Sequence, residues 1–485
     1  LHRDAYLYIA QGDHLAWGYL SVPPLTAFLS KLFRILFGES VFAIRLLPAL
    51  FGGFTVLYIS LIVREFGGRS WALVLANLSF LFSLSYLRTN TLLQPVAIDI
   101  FFWLVAFYYI LRLVKSRDVH YWLHLSIVFG LGFLNKYSMA FLAAGFFFSL
   151  LFTEERFLIW NKYFIYSLLL GFIIILPNLI WQFNHNWPVL YHFEMLNKYQ
   201  LVHVKLSDFF IAQILMNLDG FFTWSAGLLF LLFHKKFKTY RVLGYTWIAV
   251  MLILILAHGK HYYTLGLYTM LFAVGGYVLE RYIRSKFILY ANSMFIILST
   301  LPLLPIGLPL LKHEQMLSYC KTLTDLGLDL PMRWEDGKVH PLPQDYADMI
   351  GWKELADKVI KTYQELPETE KRQCYIYAEN YGQAGAIHFY GKKAGLPEVL
   401  SFNGSFVFWA PEEIYDLRDL IYVNDETHDL EPLFERINKV GEITNPYARE
   451  SGLPVWLCID PDQEFYILYR ERAREEKARF TRIMK

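Results

Sequence analysis

The sequence predicts a polytopic α-helical membrane protein with a C-terminal soluble α/β domain, and three observations predict it. Of the 485 residues, 55% are hydrophobic and 18% charged, with a mean hydropathy of +0.33; a soluble globular domain carries about 25% charge. Apolar runs long enough to cross a bilayer recur from Val41 to Leu310. After "LPLLPIGLPLL" the composition turns abruptly to charged residues. The predicted division is a transmembrane domain over 1–311, with a first outer loop over 1–40, and a domain over 312–485 that folds independently outside the membrane.

The chain opens with "LHRDAYLYIAQGDHLAWGYLSVPPL", which sets Arg3, Asp4, Asp13 and two histidines just ahead of lipid. It starts on Leu1 with no visible signal peptide, which leaves room for a transmembrane helix before it. "PPLTAFLSKLFRILFG" is too short to span. Lys31 and Arg34 on one side of its apolar surface predict a helix lying in the interface. Spans of roughly 17–25 apolar residues are the mark of membrane helices. They fall at about 41–63, 71–88, 96–114, 121–134, 137–152, 163–181, 209–233, 240–257, 264–280 and 287–310, the fourth and fifth meeting at "LNKYS".

Orientation follows from the basic loops. Arg64, Arg69, Arg112, Lys115, Arg117, Arg156, Lys162, "HKKFKTYR" at 234–241, Arg281, Arg284 and Lys286 share one side, the cytoplasm. The opening loop, the turn at 88–95, "NKY" at 135–137, the long loop 182–208, "HGKHYY" at 258–263 and the C-terminal domain share the other. In that domain "WKELADKVIKTYQEL" and "YGQAGAIHFYGKKAG" read as helices, while "CYIYA", "LIYV" and "PVWLCI" read as buried strands. Alternating helices and strands make a small α/β domain.

Several functions are excluded. A net charge of +2 without a basic tail or RNP-like motif argues against nucleic acid. Neither a G-x-G-x-x-G nor a P-loop is present, so a Rossmann nucleotide site and ATP use are not expected. Cys320, Cys374 and Cys458 are an odd number without metal-type spacing, so at least one thiol is unpaired within the chain. The 18% aromatic content fits interfacial belts and substrate grooves.

The unusual polar residues gather on the non-cytoplasmic face. Asp4 is either a solvated carboxylate paired with Arg3, worth little, or a base in a membrane-edge cleft that takes a proton from an attacking hydroxyl. Asp13 has the same two readings. Asp99 in "LQPVAIDIFFW" is a costly charge at membrane depth that faces a polar cavity, or a helix N-terminal carboxylate. Lys136 in "GLGFLNKYSMAF" and Lys260 and His261 in "HGKHYYTLGLY" are cations where the positive-inside bias places few. They suit an anionic partner such as a phosphate, with Tyr262 and Tyr263 as hydroxyl donors; snorkelling and an aromatic belt are the plainer alternatives. Trp181, His185 and Trp187 in "WQFNHNWPVLYHF" suit stacking on a sugar or anchoring in the interface. His2, His185, His258 and His261 could join Asp4 around a metal. None of these histidines belongs to an H-x-E or H-x-x-x-H pattern, and a divalent metal stays unassigned.

"RDAYLYIA…LAWGYLSVPPL", "AIRLLPALFGG", "GLGFLNKYS", "LPNLIWQFNHNWP" and "GKHYYTLGLY", in this order, resemble the GT-C membrane glycosyltransferases. The likeness is to the protein-mannosyltransferase-like and lipid A aminoarabinose transferase branch. "YADMIGW" and "AENYGQAGAIHFYG" resemble the soluble tail of bacterial members. The resemblance implies an integral membrane enzyme of the GT-C type in the inner membrane, with its site and C-terminal domain on the periplasmic side. It implies transfer of a sugar, with inversion, from a polyprenyl-phosphate donor to a hydroxyl of a lipid, glycan or protein. Asp4 then maps onto the catalytic aspartate and Asp99 onto a supporting carboxylate. Arg3, Lys136, Lys260, His261, Tyr262 and Tyr263 fall near the donor phosphate and sugar. The chain departs from its relatives where Ala5 follows Asp4, where Ser21 and Val22 precede the two prolines in place of an acidic–basic pair, and at Gly266 and Thr269, where a proline is common. These departures point to a different sugar or acceptor. The rival reading is a transporter or flippase for a lipid-linked sugar, which would put its polar groups near the midplane and use broken helices.

Overall fold

The computed structural model describes residues 1–199, 206–334 and 336–481. In chain order the first part runs α1 (Arg3–Asp13), α2 (Leu25–Phe37), α3 (Val41–Glu65), α4 (Ser70–Leu81), α5 (Leu84–Thr89), α6 (Pro95–Ser116), α7 (Tyr121–Asn135), α8 (Met139–Leu151), α9 (Lys162–Asn184), α10 (Pro188–Tyr199), α11 (Leu206–Met216), α12 (Phe221–Phe233), α13 (Arg241–Leu256), α14 (Leu265–Tyr282), α15 (Lys286–Thr300) and α16 (Leu304–Gly307). Among the described residues, six stretches are long and apolar enough to cross a membrane: Val41–Glu65, Pro95–Ser116, Lys162–Asn184, Lys235–Leu256, His261–Tyr282 and Lys286–Gly307. Leu168, Leu169, Phe172 and Ile173 of α9 stand exposed, an apolar surface that suits lipid.

The predicted ten spans are thus met in part by shorter or interrupted helices. Helices α4, α7 and α8 are apolar but shorter than a full span. The predicted span 71–88 stops after Leu81, because Ser83 and Ser85 turn their hydroxyls onto the Met216 carbonyl at 3.0 and 3.2 Å. The predicted span 209–233 is two helices, α11 and α12, bent by 110° at 217–220. The "NLDG" there is polar enough to leave the helix: Ser299 donates to the Asp219 carboxylate at 3.0 Å, and a Cβ on Gly220 would strike Phe272 at 2.6 Å. The break has a use. It points Gln213 at the 261–264 turn, where its amide donates to the His261 carbonyl (3.2 Å) and its oxygen accepts from Thr264 (2.6 Å).

The opening 40 residues hold the expected helix, α2, and a second one, α1, ahead of it. His2 caps α1 by accepting the Asp4 N–H through Nδ1 at 3.2 Å. Helix α2 starts after Pro23–Pro24 and ends at Gly38, whose φ of 81° favours glycine. Its Lys31 and Arg34 turn inward to Asp13 rather than to headgroups, while Ile35, Leu36 and Phe37 stay exposed. The long loop 182–208 contains α10; its residues 200–205 lie outside the described ones.

The C-terminal part carries α17 (His313–Asp325), α18 (Gln344–Ala347), α19 (Trp352–Glu365), α20 (Glu368–Lys371), α21 (Tyr381–Gly391) and α22 (Gln463–Ala478) around five strands. These are β1 (Cys374–Ala378), β2 (Val399–Leu400), β3 (Asp419–Val423), β4 (Phe434–Glu442) and β5 (Pro454–Pro461), in the order β2-β1-β3-β5-β4. Strand β1 is parallel to β2 and β3, and β5 runs antiparallel to β3 and β4. The three strands read from the sequence are the centre of the sheet, where burial makes apolar runs. Edge strand β4, "FERINKVGE", is mostly exposed and has no such run.

The two parts share one apolar cluster. Tyr6, Leu7 and Ala10 of α1 pack into one cluster with Trp352, Leu355, Ile376 and Ile387. Gly385 makes this possible: a Cβ there would meet the Tyr6 Cβ at 2.8 Å, so only glycine lets α21 lie this close to α1. Helix α1 thus contributes to the core of the C-terminal part.

Candidate active site

The capping of two helices fixes the centre of the site. Asn380 caps α21 by accepting the Gly382 N–H at 2.8 Å, while Gln383 reaches back to the Asn380 N–H at 3.1 Å. That places Tyr381 in the first turn of α21, facing the first turn of α1. Its hydroxyl donates to Asp4 Oδ1 at 2.7 Å and accepts from Arg3 Nε at 3.0 Å. Gln94, just ahead of α6, donates to Asp4 Oδ2 at 2.9 Å. Asp4 is therefore neither a free solvated carboxylate nor tightly paired with Arg3, whose Nε lies 3.9 Å away.

Asp4 opens onto a cavity of about 1560 Å³ shared by both parts of the chain. The start of α6, the α7–α8 junction, α10 and the 261–264 turn all line it. Arg3, Lys136, Lys260, His261, Tyr262 and Tyr263 are in its wall. The helix ends that gather here are those the basic-loop pattern puts outside.

The two lysines differ. Lys136 follows the end of α7 in an extended conformation. Its Nζ lies over the rings of Tyr263 (4.4 Å) and Tyr262 (5.2 Å) and 3.8 Å from Asp99 Oδ2, and makes no hydrogen bond. Asp99 is buried behind it, accepting from Ser138 at 2.8 Å. Lys260 is half-buried in the cavity wall and has no carboxylate partner among the described residues. His192 of α10 joins the wall beside it. Burial, and then the Lys260 charge, push this imidazole down to about 4, so it is neutral near pH 7.

Trp181 and His185 stack on each other at 4.0 Å but do not line this cavity. They line an adjacent one of about 480 Å³ with Asp13, His14, Phe408 and Trp409. Gly18 presses on the Trp181 ring: a Cβ there would fall 2.3 Å from the indole, so no other residue fits. Trp187 lines neither cavity. Asp13 is held by Lys31 (2.7 Å), Arg34 (3.1 Å), His388 (3.1 Å) and Lys392 (3.3 Å), which gives it a structural place between α1, α2 and α21.

Of the groups that could hold a metal, His2, Asp345 and Asp348 bring one ligand atom each within 4.8 Å of one another. Arg88 lies 3.0 Å from Asp345 and Arg449 3.1 Å from Asp348, so the carboxylate charge is already met and the trio reads as an ion-pair network. The sequence reading did not single out Gln94, His192 or Tyr381. Tyr381 stood in "AENYGQAG", noted only as part of the tail.

Residues 21–181 match the family model of the dolichyl-phosphate-mannose-protein mannosyltransferases. No curated protein matches the chain. Among solved structures, the fold is similar to that of ArnT from Cupriavidus metallidurans bound to undecaprenyl phosphate. The TM-score is 0.62 at 13% identity, over 94% of this chain and 92% of that one. The apo state of the same protein gives 0.59 at 14% identity, over 93% and 91%. The chain thus resembles the mannosyltransferase family over residues 21–181 and shares the fold of ArnT over nearly all of its length.

Proposed function

We propose that the chain transfers a sugar from a polyprenyl-phosphate donor to an acceptor hydroxyl, with inversion, at the extracytoplasmic face of the inner membrane. The observation that carries the reading is Asp4, a carboxylate held by two neutral donors at the wall of a large cavity where the outer helix ends meet. A base so placed takes the proton from the acceptor hydroxyl as its oxygen attacks the anomeric carbon. The bond from that carbon to the phosphate oxygen breaks on the opposite face, and the electron pair leaves with the phosphate. One base is enough for single inversion, whereas a retaining mechanism needs a nucleophile as well.

Lys260 is a cation of the cavity wall with no carboxylate partner among the described residues and so meets the departing phosphate, with His192, His261 and Tyr262 as neighbouring donors. Lys136 adds charge from behind the tyrosine rings, and Asp99 holds it there. Trp181 and His185, one cavity away, meet a part of the acceptor remote from the reacting hydroxyl. The undecaprenyl phosphate held by ArnT supports a donor of this lipid class.

The test is turnover by the purified full chain supplied with undecaprenyl-phosphate-linked sugars and envelope lipid extract. Release of undecaprenyl phosphate together with a glycosylated product is expected. Movement of the lipid-linked sugar across a vesicle membrane without release would favour the flippase reading. In the same assay Lys260→Met raises the KM for the donor by an amount worth roughly 1.5–3 kcal/mol, the value of a hydrogen bond to a charged group. Lys136→Met acts differently: it strips the buried Asp99 of its cation, so thermal stability falls together with turnover. Equal donor binding by both variants and the parent would move the phosphate site elsewhere.

A further inference from the structure

We infer that Tyr381 is a positioning residue, contributed by the C-terminal domain, that aims the Asp4 carboxylate. This rests on the reading of Asp4 as the base. The terminal torsion of an aspartate is soft, and one donor would leave the carboxylate free to swing. Here Gln94 fixes Oδ2 from the membrane part, and Tyr381 fixes Oδ1 from the C-terminal part. A carboxylate offers about four lone-pair sites, so oxygen capacity remains for an acceptor hydroxyl.

Tyr381 is itself immobilised. Its ring lies 5.1 Å from the Arg3 guanidinium carbon, and its backbone N–H donates to Asn403 at 3.2 Å. Because Arg3 Nε donates to the phenol oxygen, the phenol hydrogen is left to point at Asp4. Burial and the Asp4 charge push the phenol far above its usual range, so it stays a donor at every physiological pH. The other groups facing Asp4 are His2 and Arg3 on its own helix, with Asp345 and Asp348 behind His2, Tyr8 one turn on, Tyr262 of the 261–264 turn, and Gln94. Replacing Tyr381 by Phe leaves these in place apart from Arg3, whose Nε loses its acceptor.

The test is steady-state turnover by the detergent-purified full chain with an undecaprenyl-phosphate-linked sugar, read as kcat and KM separately beside a melting curve. Tyr381→Phe keeps the ring and removes the donor, so kcat falls about tenfold with little change in KM for the donor or in melting temperature. Fluorotyrosine at 381, which keeps the hydroxyl donor in nearly the same shape, restores kcat. A purely structural role would lower the melting temperature and raise KM along with any loss of kcat. A folded Tyr381→Phe with the parent kcat overturns the inference. Should that variant not fold, 4-fluorophenylalanine at 381, close to tyrosine in size but without the donor, takes its place, and the parent kcat from it overturns the inference instead. Asp4→Asn separates the two readings: if it is inactive while the donor-free variant turns over like the parent, the inference alone fails, and if it keeps turnover, the base assignment fails.

Discussion

Asp4→Asn is expected to abolish turnover while leaving the fold and membrane insertion intact. The amide keeps the shape of the side chain, and its oxygen still accepts from Tyr381 at the 2.7 Å contact. Its NH₂ would face the Gln94 amide, which can flip to present its oxygen. What is lost is the basic lone pair. A positioned base contributes typically about 10²–10⁴-fold, and the loss falls equally on kcat and kcat/KM because the proton moves only in the transition state. Undecaprenyl phosphate binding should be unchanged, since Lys260 and the 261–264 turn are untouched. Steady-state kinetics with a melting curve of the same preparation checks this. Near-normal turnover from a correctly folded Asp4→Asn would remove Asp4 from the chemistry.

How much of this was legible in the sequence depends on the range of the interaction that decides each feature. Apolar runs locate most helices, because burial in lipid depends on composition alone. They do not locate the breaks. "NLDG" at 217–220 hardly lowers the hydropathy of its span, yet Asp219 needs Ser299 and Gly220 needs room for Phe272, contacts settled only by packing. Asp4 was legible from its charge beside lipid and from the order of neighbouring motifs. Its partners were not: Gln94 is 90 residues away and Tyr381 is 377. Trp181 and His185 carried an aromatic signal suited to sugar stacking, but the sequence could not show that Gly18 and the end of α1 wall them off in a neighbouring cavity. Lys136 and Lys260 look alike in sequence, and only the position of Asp99 and the two tyrosine rings separates them.

Asp13→Ala is the substitution expected to cost the most stability. Its carboxylate is nearly enclosed, at 7% side-chain exposure, and faces four basic groups from α2 and from the end of α21 onward: Lys31, Arg34, His388 and Lys392. Arg34, 4% exposed, would keep Glu39 at 2.6 Å and the Ile9 carbonyl at 3.1 Å, but the remaining cations would repel one another with no central anion. Removing one partner of a buried ion network costs about 3–5 kcal/mol. Because the network ties α1 to both parts of the chain, Asp4 should lose its place as well, and activity should fall with the melting temperature. The pH dependence has a definite sign. Burial alone would raise the Asp13 carboxyl, but hydrogen bonds from His388 and Lys31 and the Arg34 charge outweigh it and hold the group well below the usual carboxylate range. A carboxyl depressed in the folded state stabilises fully above its unfolded pKa of about 3.9 and loses that contribution as pH falls through the folded value. The stability gap between the parent and Asp13→Asn should therefore be steady from about pH 5 to 7 and shrink below about pH 4. Thermal unfolding of both detergent-purified proteins across that range is the measurement. A gap that widens on acidification, or an Asp13→Ala protein that melts with the parent, would show that α1 is held by its apolar face alone.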